Sequence, residues 1–378
     1  VKYVDEFRLP AAVRAQARRL ATTVRQPWTI MEVCGGQTHA FLKYGLEELL
    51  PAAVRLVHGP GCPVCVTSVS MLDHAIAIAS QPGVTLITFA DMLRVPGSTT
   101  DLIRTRAAGG DVRVVYSPLD AVTFAAAHPD REVVFFAVGF ETTAPATALA
   151  VLRAERLGLG NFSMLVAHVL VSPAMEAILA APGNRVQGFL AAGHVCTVTG
   201  YAHYWALAER FRVPIVVTGF EPTDLMDGIT TLLELLETGT AVVVNRYSRA
   251  VTHHEAGPAF TPVTAVYDVV DTEWRGLGVI ARSGLRLNAR YQPYDAKKRF
   301  PRRHELPKLQ VVSSPAECQA GLVLQGRLTP DCCPSYGSRC TPTRPLGAPM
   351  VSTEGACSAY WNAGRLPRPH AFHPEKEH

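Results

Sequence analysis

Up to about residue 270 the chain alternates short apolar runs with stretches of helical periodicity. The runs at 29–33, 54–58, 85–89, 112–116, 132–138, 163–167, 188–192, 214–218 and 241–245 are continuous β-branched or aliphatic segments with little polar alternation. Strands of that kind are covered on both faces, as in parallel sheets. Amphipathic stretches at 119–127, 145–156, 173–181 and 222–237 lie between them. The alternation predicts an α/β fold with right-handed crossovers. Nine strands exceed one compact sheet, so two α/β lobes are expected, over residues 26–119 and 120–284.

Most of these runs end in glycine-rich or polar turns: Cys34-Gly35-Gly36, His58-Gly59-Pro60-Gly61, Gly139-Phe140-Glu141, Gly193-His194 and Gly219-Phe220-Glu221. Open α/β sheets form their sites at the carboxyl ends of strands. Two such edges facing each other would make a cleft. After about residue 285 apolar periodicity weakens, Pro, Arg and Lys rise through 291–309, and five cysteines fall between Cys318 and Cys357. A small third domain held by a metal is the economical reading, because such a segment has little core of its own. Residues 1–25 are grouped with it, and the tail over 365–378 is expected to be disordered.

Composition narrows the function classes. Hydrophobic residues make up 48% and charged residues 18%, an ordinary globular balance. The formal net charge is +4, and its densest basic run, Lys297-Lys298-Arg299-Phe300-Pro301-Arg302-Arg303, comes with no nucleic-acid motif. That run reads as a solvated linker. No apolar run reaches 18 residues, so no membrane span is expected, and the charged opening residues lack the apolar core of a signal peptide. The nine cysteines are therefore read in a cytoplasmic context, where metal binding or redox chemistry outranks structural disulfides.

Three constellations carry that chemistry. Cys34, in Glu32-Val33-Cys34-Gly35-Gly36-Gln37-Thr38-His39, ends a strand and opens a helix whose N–H groups would favour a thiolate. His39 is within possible reach of the same space. A buried cysteine at a tight turn with a surface histidine is the competing description. Cys62 and Cys65, in Gly59-Pro60-Gly61-Cys62-Pro63-Val64-Cys65, form a CxxC that suits redox activity, a transient iron site or simply packed thiols. Cys318, Cys332, Cys333, Cys340 and Cys357 could enclose zinc or a [4Fe–4S] cluster, and the lack of a paired CxxC…CxxC favours the cluster. Cys196 stands alone after a strand and reads as a core thiol. Glu141 and Glu221 occupy matching Gly-Phe-Glu turns; each either lines the cleft as a proton donor or acceptor or caps a helix. His168, His194 and Asp224 sit in similar turns. Neither a Walker motif nor a Rossmann fingerprint occurs, which counts against a nucleotide-binding enzyme.

These residues resemble the HypD family of hydrogenase maturation proteins. The matching segments are Met31–His39, Leu56–Thr67, Phe136–Pro145, Val217–Pro222, Cys340-Thr341-Pro342 and Met350–Cys357, within a likeness running from Val1 to about Trp361. The resemblance implies two α/β lobes and a [4Fe–4S] domain. It implies a scaffold on which an iron atom acquires two cyanides and one carbonyl for [NiFe] hydrogenases. The partners it implies are a small HypC-like chaperone and a HypE-like donor carrying cyanide as a thiocyanate, with this chain as a single copy in the hetero-complex. By the same likeness Cys34 is the iron ligand with His39 close by, and Cys62 and Cys65 are a redox-active pair that can also meet the iron.

The chain departs from the family pattern in its last third. Cys318-Gln319-Ala320-Gly321-Leu322 lacks the second cysteine of the usual Cys-x-Cys-Gly-Glu, Cys332-Cys333 is a doublet, and Pro349 stands where many relatives carry cysteine. Cys318, Cys333, Cys340 and Cys357 remain as the implied cluster ligands. The segment from His253 to Pro258 also strays from the family's usual Gly-Asn. The alternative from another class is a partner-independent thiol–disulfide oxidoreductase with an iron–sulfur cluster.

Overall fold

The structure, a computed structural model, describes residues 2, 5–301 and 317–368. Arg302 and Arg303 of the basic run, residues 304–309 of the 291–309 segment and the tail beyond Arg368 lie outside the described residues. Eleven strands form: β1 Trp28–Glu32, β2 Val54–His58, β3 Val84–Thr88, β4 Asp111–Val114, β5 Glu132–Gly139, β6 Phe162–His168, β7 Gly188–Ala192, β8 Ile215–Thr218, β9 Val243–Asn245, β10 Tyr267–Trp274 and β11 Gly278–Leu287. The first nine are parallel and coincide with the nine apolar runs. The last two form an antiparallel hairpin that the apolar pattern does not reveal.

The parallel strands make two sheets, ordered β2-β1-β7-β8-β9 and β4-β3-β5-β6. The expected division near residue 120 therefore does not match the sheets. The second sheet is an insertion over 84–168, and the first is built from 28–58 together with 188–245. Pairing between β1 and β7 closes the first sheet across that insertion, Ile30 opposite Gly188.

Residues 1–25 also belong elsewhere than expected. The helix Pro10–Thr23 buries Val13 and Leu20 against Leu225, Ile229 and Leu232 of the helix Pro222–Glu237, on the first sheet. Burying two such side chains is worth roughly 3–6 kcal/mol, enough to fix a short amphipathic helix. The Glu237 carboxylate then accepts from the Arg25 amide at 2.8 Å and the Trp28 indole N–H at 2.7 Å, pinning the entry to β1.

Helix starts follow local chemistry. Proline opens the helices Pro63–Val66, Pro118–Ala127 and Pro222–Glu237, where a missing N–H costs nothing. Ser117 and Asp120 form a capping box at the second of these. The cysteine-rich segment packs on the helix Gly35–Lys43: Leu42 shares a buried cluster with Tyr336, Cys340, Met350 and Tyr360. No helix among the described residues is long and apolar enough to cross a membrane.

Candidate functional site

The carboxyl ends of β1 and β2 lie side by side in register, with Glu32 opposite His58. The chemistry-bearing turns follow directly. Cys34 caps the helix Gly35–Lys43, and Cys62 caps the short helix Pro63–Val66. The Gly35 amide donates to the Gly61 carbonyl at 2.9 Å, so the two turns are joined by backbone. A side chain on Gly61 would collide with the Cys34 backbone, which is why glycine precedes the CxxC. Cys62 and Cys65 are joined as a disulfide, and both are buried. They pack with Phe136, Val138 and Leu165 of the second sheet, so the CxxC sits between the two sheets.

Cys34 is 4% exposed, and its sulfur lies 3.4 Å from His194 Nε2. His194, just after β7, stacks on Phe220, just after β8, with ring centroids 4.6 Å apart. Phe220 also closes over Gly36. Four strand ends of the first sheet thus converge on one thiol. His39, by contrast, is exposed, and the imidazole beside Cys34 is His194. Both residues are within sequence reach of strand ends; only the pairing of β7 with β1 selects His194.

The expected thiolate at Cys34 is corrected by its surroundings. Burial pushes the thiol pKa up, and the Glu32 charge pushes it further. The N–H groups of Gln37 and Gly36 oppose this without reversing it. Burial likewise lowers the His194 pKa, leaving a neutral imidazole beside a neutral thiol. Burial and the Glu32 charge therefore work against a thiolate at Cys34.

Beneath Cys34 lies a buried polar network. The Cys34 amide donates to Glu32 Oε2 at 2.8 Å, and the Thr38 hydroxyl donates to the other oxygen. His58 Nδ1 meets Glu32 Oε1 at 2.8 Å, and its Nε2 meets the Tyr360 hydroxyl at 2.9 Å and Glu47 at 3.4 Å. Burial opposes a charge on His58, but Tyr360, Glu32 and Glu47 outweigh it and hold the imidazole pKa well above its usual value. The network runs from the Cys34 backbone to the helix Ala356–Asn362, which also carries Cys357. Sequence reading missed it, although Glu32 and His58 each end a strand just before a cysteine turn.

Glu141 and Glu221 have different fates. Glu141 is buried; its Oε1 accepts from the Val171 amide at 2.9 Å, and its Oε2 has no hydrogen-bond partner among the described residues. Burial raises its pKa to about 7, against the pull of the Glu141 and Val171 amides. Glu221 instead takes part in a capping box with Asp224 and accepts two hydrogen bonds from Arg8, so it serves the helix start. Asp224 is paired to both terminal nitrogens of Arg249, at 2.6 and 2.5 Å. His168 is buried beside Thr143 and Thr147, and burial lowers its pKa to about 3. Cys196 is a buried free thiol in the core around Tyr204.

In the last third a small cavity of about 20 Å³ is lined by Cys318, Cys333, Cys340 and Cys357, with Val323, Tyr336, Pro349 and Met350 among its apolar walls. Burial raises the Cys357 pKa, and the charges of Cys318, Cys340 and Cys333 raise it further, so the four sulfurs share one space. The Leu346 amide donates to the Cys340 sulfur at 3.4 Å, and Gly347 leaves room for Cys318. Cys332 does not line the cavity; it packs with Val323, Leu328 and Ala356. Among the described residues no three His, Cys, Asp or Glu side chains converge closely enough for a single metal ion. Four thiols around one apolar cavity are a donor set that could hold zinc or an iron–sulfur group.

Fold and site together define an α/β protein of thiol chemistry, with one buried cysteine beside a disulfide and a separate four-cysteine cavity. The HypD family model, described as "Hydrogenase formation hypA family", matches residues 11–364. A hydrogenase maturation factor HypD of Rhizobium leguminosarum bv. viciae is 46% identical over 97% of this chain and 96% of the relative. Its namesakes in Rhodobacter capsulatus and Escherichia coli K12 are 44% and 42% identical, each over 96% of this chain and 98% of their own length. The chain belongs to the HypD family.

Proposed function

We propose that this protein is a hydrogenase maturation factor that holds an iron atom while it acquires two cyanide ligands and one carbonyl for a [NiFe] hydrogenase. The observation that carries the reading is the backbone junction between the Cys34 and CxxC turns, where the Gly35 amide meets the Gly61 carbonyl at 2.9 Å. It joins the Cys34 turn to the Cys62–Cys65 turn, which supports a soft single ligand acting beside a two-electron couple. Thiolate suits low-valent iron carrying cyanide and carbonyl. In this reading Cys34 gives up its proton on binding the iron, His194 lies 3.4 Å from its sulfur, and the glycines at 35 and 36 leave room for ligands.

Reductive cleavage of a thiocyanate consumes two electrons and releases cyanide and a thiolate. Oxidation of the Cys62–Cys65 dithiol to the disulfide yields two electrons and two protons, so the balance closes. Glu141, its pKa raised to about 7 by burial, is the carboxyl poised to donate or accept a proton near neutrality. Cys318, Cys333, Cys340 and Cys357 would hold a [4Fe–4S] cluster, which would supply single electrons. A HypC-like chaperone and a HypE-like cyanide donor in the cytoplasm complete the proposal.

The burial of both CxxC cysteines, at 3% and 1% exposed, argues against free turnover of small disulfides, which the oxidoreductase alternative requires. The test is an infrared spectrum of the anaerobic complex with a HypC-like partner. Wild type should show cyanide and carbonyl bands and Cys34→Ala should lose them. Bands of full intensity in Cys34→Ala would refute the assignment of the iron to Cys34. Partner-independent disulfide turnover by wild type would favour the alternative.

A further inference from the structure

Phe220 is half-buried and packs on the core cluster that contains Cys34. Its ring lies flat on His194, whose Nε2 is 3.4 Å from the Cys34 sulfur. A carbon at the Cβ position of Gly36 would stand 3.7 Å from that sulfur and 3.3 Å from Phe220 Cδ1. Ordinary carbon contacts lie at about 3.5–4.0 Å, so on that side the gap between thiol and ring admits no more than a single carbon. The turn that carries the ring is held from outside the sheet. Arg8 donates to Glu221 through Nε and, at 2.9 Å, through Nη2. The Thr223 hydroxyl donates to the Phe7 carbonyl at 2.7 Å. The Arg249 guanidinium covers the Phe7 ring at 3.7 Å and the Tyr247 ring at 4.6 Å, and Tyr247 meets Phe220 edge-on with centroids 6.3 Å apart. The segment ahead of the helix Pro10–Thr23 therefore straps down the residue next to Phe220. The Arg8 and Glu221 side chains are 45% and 19% exposed, which leaves this latch within reach of salt.

We propose that Phe220 restricts Cys34 to small ligands, and that Arg8, acting through Glu221, is the positioning residue that keeps the Phe220 ring in place. The ring limits size because it faces the thiol across a gap that a larger group can enter only when the turn opens. The ion pair sets how often that happens, since it ties the turn to a separate segment of chain. These roles concern access to the thiol and do not rest on iron being bound there.

The experiment labels full-length protein, expressed alone and purified anaerobically, with iodoacetamide or the bulkier N-phenylmaleimide. Both reagents are uncharged, and mass spectrometry follows each cysteine peptide separately. Arg8→Gln should label at Cys34 about two- to fivefold faster than wild type, the range that loss of an exposed ion pair permits, with Cys196 unchanged. Raising salt from about 0.05 M to about 0.5 M should bring wild type toward that rate and leave Arg8→Gln where it is. Phe220→Ala should gain roughly tenfold or more, with the larger gain for N-phenylmaleimide, because the thiol no longer waits for an opening. Adding Arg8→Gln to Phe220→Ala should bring nothing further, since the latch then holds no ring. If Phe220→Ala does not fold, Phe220→Leu takes its place, with smaller gains in the same order. Equal Cys34 rates in wild type and Arg8→Gln overturn the latch, as does a Cys196 rate that rises in step with that of Cys34. An unchanged preference between the two reagents in the Phe220 variant overturns the role of the ring. None of these outcomes bears on iron at Cys34, which the infrared test decides separately.

Discussion

Gly61→Ala should separate the two thiol turns. The added methyl would stand 2.5 Å from the Val33 carbonyl carbon and closer still to the Cys34 N and Cα. Ordinary carbon contacts lie at about 3.5–4.0 Å, so roughly 1 Å of movement is required. All three obstacles are backbone, and no flexible side-chain end can give way. Overpacking of this kind costs about 1–3 kcal/mol. Stretching the 2.9 Å bond from the Gly35 amide to the Gly61 carbonyl adds up to about 1 kcal/mol. A loss of about 1–4 kcal/mol corresponds to a fall in Tm of roughly 2–10 °C for a cooperative unit of about 200 residues. Gly160→Ala is the control, because nothing lies within 4 Å of the added atom. Circular dichroism melts of the two variants decide the matter. A Gly61→Ala melt indistinguishable from that of Gly160→Ala would refute the backbone junction.

Other expectations concern single groups. Cys333→Ser should lose the brown colour and labile sulfide of anaerobic protein while Cys332→Ser retains them, since only Cys333 lines the cavity; equal retention in both would remove Cys333 from the ligand set. Cys62→Ser should leave Cys65 open to alkylation in denaturant after oxidant, read by mass spectrometry, whereas wild type should protect both; protection of Cys65 in the unfolded variant would exclude the pairing as its cause. Glu141, raised from 4.5 to about 7, binds a proton more tightly in the folded than the unfolded chain. Its contribution to stability is full below about pH 4.5 and is lost as pH rises through about 7. Glu141→Gln should flatten that slope in urea melts taken across the window; an unchanged slope would show that the carboxyl does not titrate there.

The parallel strands were legible because each is a continuous apolar run covered on both faces, and their end turns announced where chemistry gathers. Their partners were not, since pairing order is decided by packing between segments far apart in sequence. That is why the lobes interleave at residues 84–168 instead of dividing at 120. The same blindness favoured His39, five residues from Cys34, over His194, which arrives through β7. The β10–β11 hairpin hid for a different reason. A register shift between Val270 and Thr272 breaks its alternation, and Val269 and Val279 are exposed. In the last third, spacing alone left Cys332 and Cys333 equivalent, and only the folded cavity separates them.

The insertion of one sheet inside the other also sets a timetable for synthesis. Ile30 must wait for Gly188 before β1 has both neighbours. At about 5–20 residues per second, the ribosome needs on the order of ten seconds to deliver that stretch. The second sheet, contiguous over 84–168, can close in the meantime. The first remains an open pair of strands, and Cys34 lacks His194 and the Phe220 lid until β7 and β8 emerge. A nascent chain therefore carries its CxxC well before it has a finished corner for Cys34. The corner around Cys34 is therefore completed only after β8, with the last third of the chain still to be made.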